Sequence, residues 1–234
     1  MKKVAILQSN YIPWKGYFDL INLVDEFIIY DEMQYTKNDW RNRNKIKSKT
    51  GLEWLTIPVR QEHLHQKIQD TKIVNKQWNK KHWNTIQTNY AKARFYSEYK
   101  SIFEELYLNC TYQYLSEINY HFIKAITFLL GIQTKISMST DYTLIEGKTE
   151  RLVDLCQQAN ATEYISGPSA KDYINASLFE QQNIRLSWMD YSNYLEYNQL
   201  FPPFEHGVSI IDLILNEGSD SKKYMKSFIN GENG

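Results

Sequence analysis

Apolar residues form two short continuous runs near the start of the chain, VAIL at 4–7 and FIIY at 27–30. Runs of that length fit buried strands, and between them residues 16–25 set Phe18, Ile21 and Leu23/Val24 near helical spacing. The chain therefore opens strand, loop, helix, strand. The loop, QSNYIPWKG, contains Pro13, which is expected to hold Ile12 extended, and Gly16, which permits a sharp entry into the helix. At the carboxyl end of a parallel strand such a loop lies where ligands bind in open α/β sheets. Residues 35–50 are polar and basic without a period, and 52–59 (LEWLTIPV) reads as a strand ended by Pro58, so the region has hairpin or long-loop character. Three helical stripes follow: Trp78, His82, Ile86 and Tyr90; Tyr99, Phe103, Leu106 and Tyr107; Leu115, Ile118, Phe122, Ile126 and Leu129, closed by Gly131. Strands at 133–139, 162–166 and 184–189 then alternate with helices at 148–158, 170–181 and 208–215, the pattern of parallel βαβ units. The expected fold is one α/β domain over 1–234 with a mainly parallel, Rossmann-like sheet, a basic loop region at 32–76, and a helical insert at about 77–131 packed as a lid over a pocket. The terminal GENG is expected to fray.

With 42% hydrophobic and 23% charged residues, the composition excludes disorder as the main state. Aromatic residues reach 15%, including 18 Tyr and 6 Trp, which serve either a Tyr-rich core and surface or the stacking of sugars, bases and peptides. Cys110 and Cys156 form no CxxC, and MKKVAILQSN turns polar too soon for a signal leader, so a reduced, cytoplasmic protein is expected. The longest apolar run, 125–132 broken by Thr127, falls far short of the roughly 20 residues that span a bilayer, and no membrane insertion is expected.

Lys plus Arg number 27 and so do Asp plus Glu, a net charge of zero that by itself argues against a polyanionic partner. The charges are segregated, however. Residues 37–81 hold twelve basic and four acidic side chains, plus eight against minus eight elsewhere, which points to an anionic ligand at one face, phosphate above all.

The densest candidate chemistry lies in that segment, in YTKNDWRNRNKIK (35–47), where Arg and Asn interleave beside Trp40 and Trp54 follows. Guanidinium groups grip phosphate oxygens at two points and carboxamides read hydroxyls or base edges, as in a polar pocket; a basic loop without a ligand and a nucleic-acid patch remain the alternatives. His82, beside Lys80, Lys81 and Trp83, has an imidazole suited to proton transfer at neutral pH, and Asp31, at a strand end before the basic loop, is a second candidate base. A satisfied core His and a charged turn cap are the plainer readings of the two. His63 and His65 lack a third ligand, so no metal site is assigned. There is no Walker, dinucleotide or GxSxG motif, and neither Cys stands in the context of a nucleophile. Residues 147–151 (GKTER) and 166–173 (SGPSAKDY) each open a helix, where free amides and small residues accept anions or are simply capped.

Together QSNYIPWKGYFDLI (8–21), IYDEMQYTKNDWRNRNKIK (29–47), GLEWLTIPV (51–59), WNKKHW (78–83), KTERLVDLC (148–156) and YISGPSAKDY (164–173) resemble the WbqC-like family of bacterial proteins over nearly the whole chain. Ser9 stands where the family pattern has Pro, and is expected to loosen the loop. The resemblance implies a place in O-antigen or other surface polysaccharide biosynthesis: transfer of a glycyl or similar acyl group to the amine of a dTDP- or UDP-linked amino sugar. His82 or Asp31 would be the base. The residues expected at the substrate are Gln8, Asn10, Tyr11, Trp14, Gln34, Trp40, Asn42, Arg43, Asn44, Lys47, Trp54, Lys81, Thr149, Arg151, Ser166, Gly167 and Lys171. A fainter likeness to nucleotidylyltransferase-like folds, whose signature histidines are replaced here by Trp14 and Tyr17, leaves ATP open as cofactor beside an aminoacyl-tRNA or thioester donor. A tRNA-binding module and a non-enzymatic scaffold in polysaccharide assembly are the competing functions, and an exposed aromatic surface is compatible with a homo-oligomer.

Overall fold

The computed structural model describes residues 1–231, with side chains through Ile229. The fraying expected of GENG falls, beyond Gly231, outside the described residues. β1 (Lys3–Leu7) leads into α1 (Lys15–Asn22) and back along β2 (Glu26–Ile29). A hairpin of β3 (Arg43–Ser48) and β4 (Gly51–Thr56) and a short antiparallel pair, β5 (Val59–Arg60) with β6 (Lys72–Ile73), occupy the basic region. Then come α2 (Trp78–Tyr90), α3 (Tyr96–Leu108), α4 (Leu115–Leu129), β7 (Lys135–Met138), α5 (Thr149–Gln158) and β8 (Glu163–Ser166). The chain closes with α6 (Ala176–Gln181), β9 (Arg185–Trp188), α7 (Ile210–Glu217) and α8 (Lys226–Gly231).

The central sheet has five strands in the order β7-β2-β1-β8-β9, all parallel. The period-2 alternation of a strand sends Ala5, Phe27, Ile29 and Ile165 to one face, where they join the apolar sides of α1, α2, α3, α4 and α7 in the main core. Val4, Ile6, Ile28 and Tyr164 face the other way, onto Leu152, Val153, Leu155 and Cys156 of α5 and Phe179 of α6. The result is a three-layer α/β/α arrangement. The chain leaves β1 toward β2 and β7 on one side and toward β8 and β9 on the other, so the β1–β8 boundary is the switch point where a crevice opens at the carboxyl ends of the strands.

Three local expectations are corrected. The helical block at 77–131 is not a lid: Trp83, Ile86, Phe103, Tyr107, Phe122 and Ile126 are buried in the same core as Ala5 and Phe27. Ile12 is not extended before Pro13 but turns to φ +37°, a strained geometry for a β-branched residue, and Asn44 holds it by donating its side-chain amide to the Tyr11 and Ile12 carbonyls at 3.1 and 2.9 Å. The helix expected over 170–181 is split into a 3-10 turn at Pro168–Asp172 and α6, because Asn175 caps α6 by accepting from the Ser177 N–H.

Candidate functional site

The switch-point crevice is a cavity of about 680 Å³. Leu7 and Gln8 from the end of β1, Ser166 and Gly167 from the end of β8, and Gly147, Lys148 and Arg151 from the start of α5 line it, with Tyr30, Tyr164 and Tyr173 as aromatic walls. Gly147 makes the entry into α5: its φ is +102°, and a Cβ there would stand 2.5 Å from the Glu150 carboxylate. The first turn of α5 therefore starts at the crevice, with Lys148 and Arg151 in its lining. Arg151 is aimed rather than loose. Its Nε donates to the Ile145 carbonyl and its Nη1 to the Tyr30 hydroxyl at 3.1 Å, while Glu146, which also lines the crevice, lies 3.5 Å from Nη2 with its side chain fully exposed. Tyr164 stacks on Phe179 and donates to the Ser166 hydroxyl at 3.3 Å, which fixes the crevice floor. Cations, a helix N-terminus and flat aromatic walls in one cleft suit a phosphorylated ligand with a ring.

A second, smaller pocket of about 360 Å³ is lined by Asn10, Pro13, Trp14, Trp40, Asn44, His206 and Gly207. Trp14 lies over Gly16, where a Cβ would collide with its ring at 2.3 Å, and packs against Tyr191 and Tyr194. Arg41 is the seam between the two spaces. Its guanidinium donates to Asn10 Oδ1, in the smaller pocket, and to Gln8 Oε1 at 3.3 Å, in the crevice, with Asp39 3.8 Å from Nε. Asp39 balances part of the charge, and the guanidinium edge turned to Gln8 and Asn10 meets only neutral amide oxygens.

Residues 8–224 match the WbqC-like protein family. The chain belongs to that family. Among its relatives, this WbqC-like protein is 51% identical over 227 residues, 97% of this chain and 98% of the other, to a protein of Mycobacterium tuberculosis (strain ATCC 25618 / H37Rv) named "Uncharacterized protein Rv1507c". No solved structure matches it significantly.

In this WbqC-like protein the residues expected at the substrate divide into three groups. Gln8, Arg151, Ser166 and Gly167 meet in the crevice, and Asn10, Trp14, Trp40 and Asn44 in the smaller pocket. Several others are held by the fold. Tyr11 is fully buried, its hydroxyl shared between His82 Nδ1 at 2.8 Å and the Tyr107 hydroxyl at 3.0 Å. His82 borders a separate groove of about 390 Å³ with Trp54 and Lys81, but both its nitrogens are engaged. The Thr56 carbonyl, 3.1 Å from Nε2, can only accept, so Nε2 carries the proton and Nδ1 accepts from Tyr11. Burial pushes the imidazole down to about 4, and neither nitrogen is free for a substrate proton. Asn42 donates to the Ile57 carbonyl, Lys47 to that of Pro203, and the Thr149 hydroxyl accepts from the Asn175 N–H.

Asp31 is buried and accepts from the Ser9 N–H at 2.8 Å, the Ser9 hydroxyl at 2.7 Å and the Ser116 hydroxyl. Burial raises its carboxyl above the usual range even so. Ser9, expected to loosen the loop, instead ties β1, β2 and α4 together, since its hydroxyl also accepts from Asn119 at 2.9 Å. The third group lies outside: Gln34 donates to the Leu64 carbonyl, Lys171 sits 5.7 Å from the Trp188 ring, and Arg43 lies 4.2 Å over exposed Trp54. Trp54 in turn packs 5.5 Å from Trp40.

Arg41 and His206, like the crevice residues Tyr30, Lys148 and Tyr164, are not among the residues expected at the substrate. Arg41 was one basic residue among twelve, and His206 stands in a short loop, PPFEHGVS, with no periodic neighbour. Among the described residues, no helix is long and apolar enough to cross a membrane.

Proposed function

We propose that this WbqC-like protein transfers an acyl group, glycyl in the simplest case, to the amine of a nucleotide-linked amino sugar in surface polysaccharide biosynthesis. The observation that carries this reading is the crevice at the β1–β8 switch point, with the α5 N-terminus, Lys148 and Arg151 on one side and Tyr30, Tyr164 and Tyr173 around it. Its volume and chemistry suit a nucleotide diphosphate, and Arg41, between crevice and pocket, suits the bridging phosphates of a dTDP- or UDP-sugar.

Trp40 favours an aminoacyl-tRNA among the activated donors. One part of it lines the smaller pocket, and outside it continues into exposed Trp54, with Arg43 at 4.2 Å and Lys45 at 5.2 Å from the Trp54 ring. Indoles interleaved with cations are the usual platform for single-stranded nucleic acid, such as a tRNA acceptor end. The test is incubation with a dTDP- or UDP-amino sugar and, in parallel, glycyl-tRNA, a glycyl thioester, or glycine with ATP. A gain of one glycyl residue by mass spectrometry is expected, with glycyl-tRNA the most effective donor. No product with any donor refutes the reading.

A further inference from the structure

Of the five histidines, His206 is the one that lines the smaller pocket, and among the described residues neither of its ring nitrogens has a hydrogen-bond partner. Nδ1 is buried besides. This contrasts with His82, both of whose nitrogens are bonded. With Nδ1 enclosed and no bond inside the fold holding the partly buried ring, Nε2 is the nitrogen left to meet a ligand in the pocket. The ring is held edge-on to Phe204, 4.6 Å away, so the imidazole keeps its orientation without a polar anchor. Burial and Lys15 favour the neutral imidazole; Glu196 and Glu205 act in the opposite direction, and the outcome is an imidazole more acidic than usual. The other walls, Trp14 and Trp40, present indoles in a space of about 360 Å³. Indole faces stack on the apolar side of a pyranose ring, and the size admits one sugar with its acyl group. Arg41 links this space to the crevice, through Asn10 on one side and Gln8 on the other.

We infer that the smaller pocket is the sugar subsite, with Trp14 and Trp40 flanking the amino sugar and His206 acting as the general base on its amine. This rests on the acyl transfer proposed above. The first proton of the sugar ammonium passes to His206 and on to solvent. The freed amine then forms a C–N bond to the carbonyl carbon of an activated aminoacyl ester, and the ester C–O bond breaks. The second nitrogen proton moves through the same imidazole to the departing oxygen, which leaves as a hydroxyl and returns His206 to its neutral form.

The test is His206→Gln, with His206→Asn as a second variant should the first not fold. Transfer should fall about 100-fold in kcat with KM for the nucleotide sugar within about threefold, and added imidazole should restore part of the rate. Wild-type protein treated with diethyl pyrocarbonate should be carbethoxylated at His206 and left unmodified at His82. The nucleotide amino sugar should protect His206, whereas the bare nucleotide should not. Full-rate product from both variants, or no protection by the amino sugar, overturns the role of His206 and leaves the acyl transfer standing. No product from the wild type overturns both.

Discussion

Acid should destabilise this protein through His82, by an amount set by its surroundings. In the folded chain its pKa is down at about 4, because burial against Tyr11 and Trp78 disfavours the charged ring by more than the Thr56 carbonyl favours it. In the unfolded chain the imidazole returns to the ordinary value of about 6.5. Between those values the unfolded state binds the extra proton, so stability is complete above about pH 6.5 and is lost as the pH falls through the window. The gap corresponds to about 3 kcal/mol when fully expressed, about 2.5 kcal/mol of it between pH 7 and 4.5. His82→Gln removes the titrating group while keeping a donor for the Thr56 carbonyl. Urea unfolding of both proteins at the two pH values isolates the difference, since the buried carboxyls of Asp31 and of Asp212 in α7, both raised by burial, are common to the two proteins and cancel. The wild type should lose about 2.5 kcal/mol more than the variant on acidification. Equal losses would show that His82 does not reside as a neutral ring in the core, and would reopen it as a base.

Ser9→Ala removes a hydroxyl that donates to Asp31 and accepts from Asn119, and should cost about 1–3 kcal/mol of unfolding free energy by urea titration. Asn44→Ala releases the carbonyls of Tyr11 and Ile12 and the strained turn between them; it should lower stability by about 2 kcal/mol and broaden the fluorescence of Trp14. Trp54→Ala removes an indole already 41% exposed and outside the main core, so its melting temperature should stay within a few degrees of the wild type, while binding of glycyl-tRNA weakens in a salt-dependent filter assay.

Parallel strands and helix stripes were legible because hydrophobic periodicity is the signal that forms them. The stripe Trp78, His82, Ile86, Tyr90 even placed His82 on a buried face, which is where it lies. β3 was not legible. Its inward residues, Asn44, Ile46 and Ser48, are mostly polar, and Asn44 replaces apolar burial with bonds to the main chain, so no period-2 pattern appears. At the site, Gln8, Ser166 and Gly167 could be read from strand ends, because a parallel sheet places such ends together. Arg41 and His206 could not. Arg41 matters because Gln8 and Asn10 direct it, and His206 because a loop more than 160 residues along the chain returns to face Trp14. Neither relation has a local signature. Net charge misled for a related reason, since a sum discards the positions that give the charges their effect.

The most direct test of the nucleotide site is a thermal titration of the wild type and Arg151→Ala with a dTDP- or UDP-amino sugar. Arg151 is mostly buried and anchored by the Ile145 carbonyl and the Tyr30 hydroxyl, so each ligand-induced shift is read against that protein's own ligand-free melting temperature. A ligand at about 100 times its dissociation constant should stabilise the wild type by about 2.7 kcal/mol. The account predicts saturable stabilisation of the wild type and a titration shifted at least about tenfold to higher concentration in Arg151→Ala. Absence of stabilisation by any nucleotide sugar, or identical titrations for the two proteins, would contradict it.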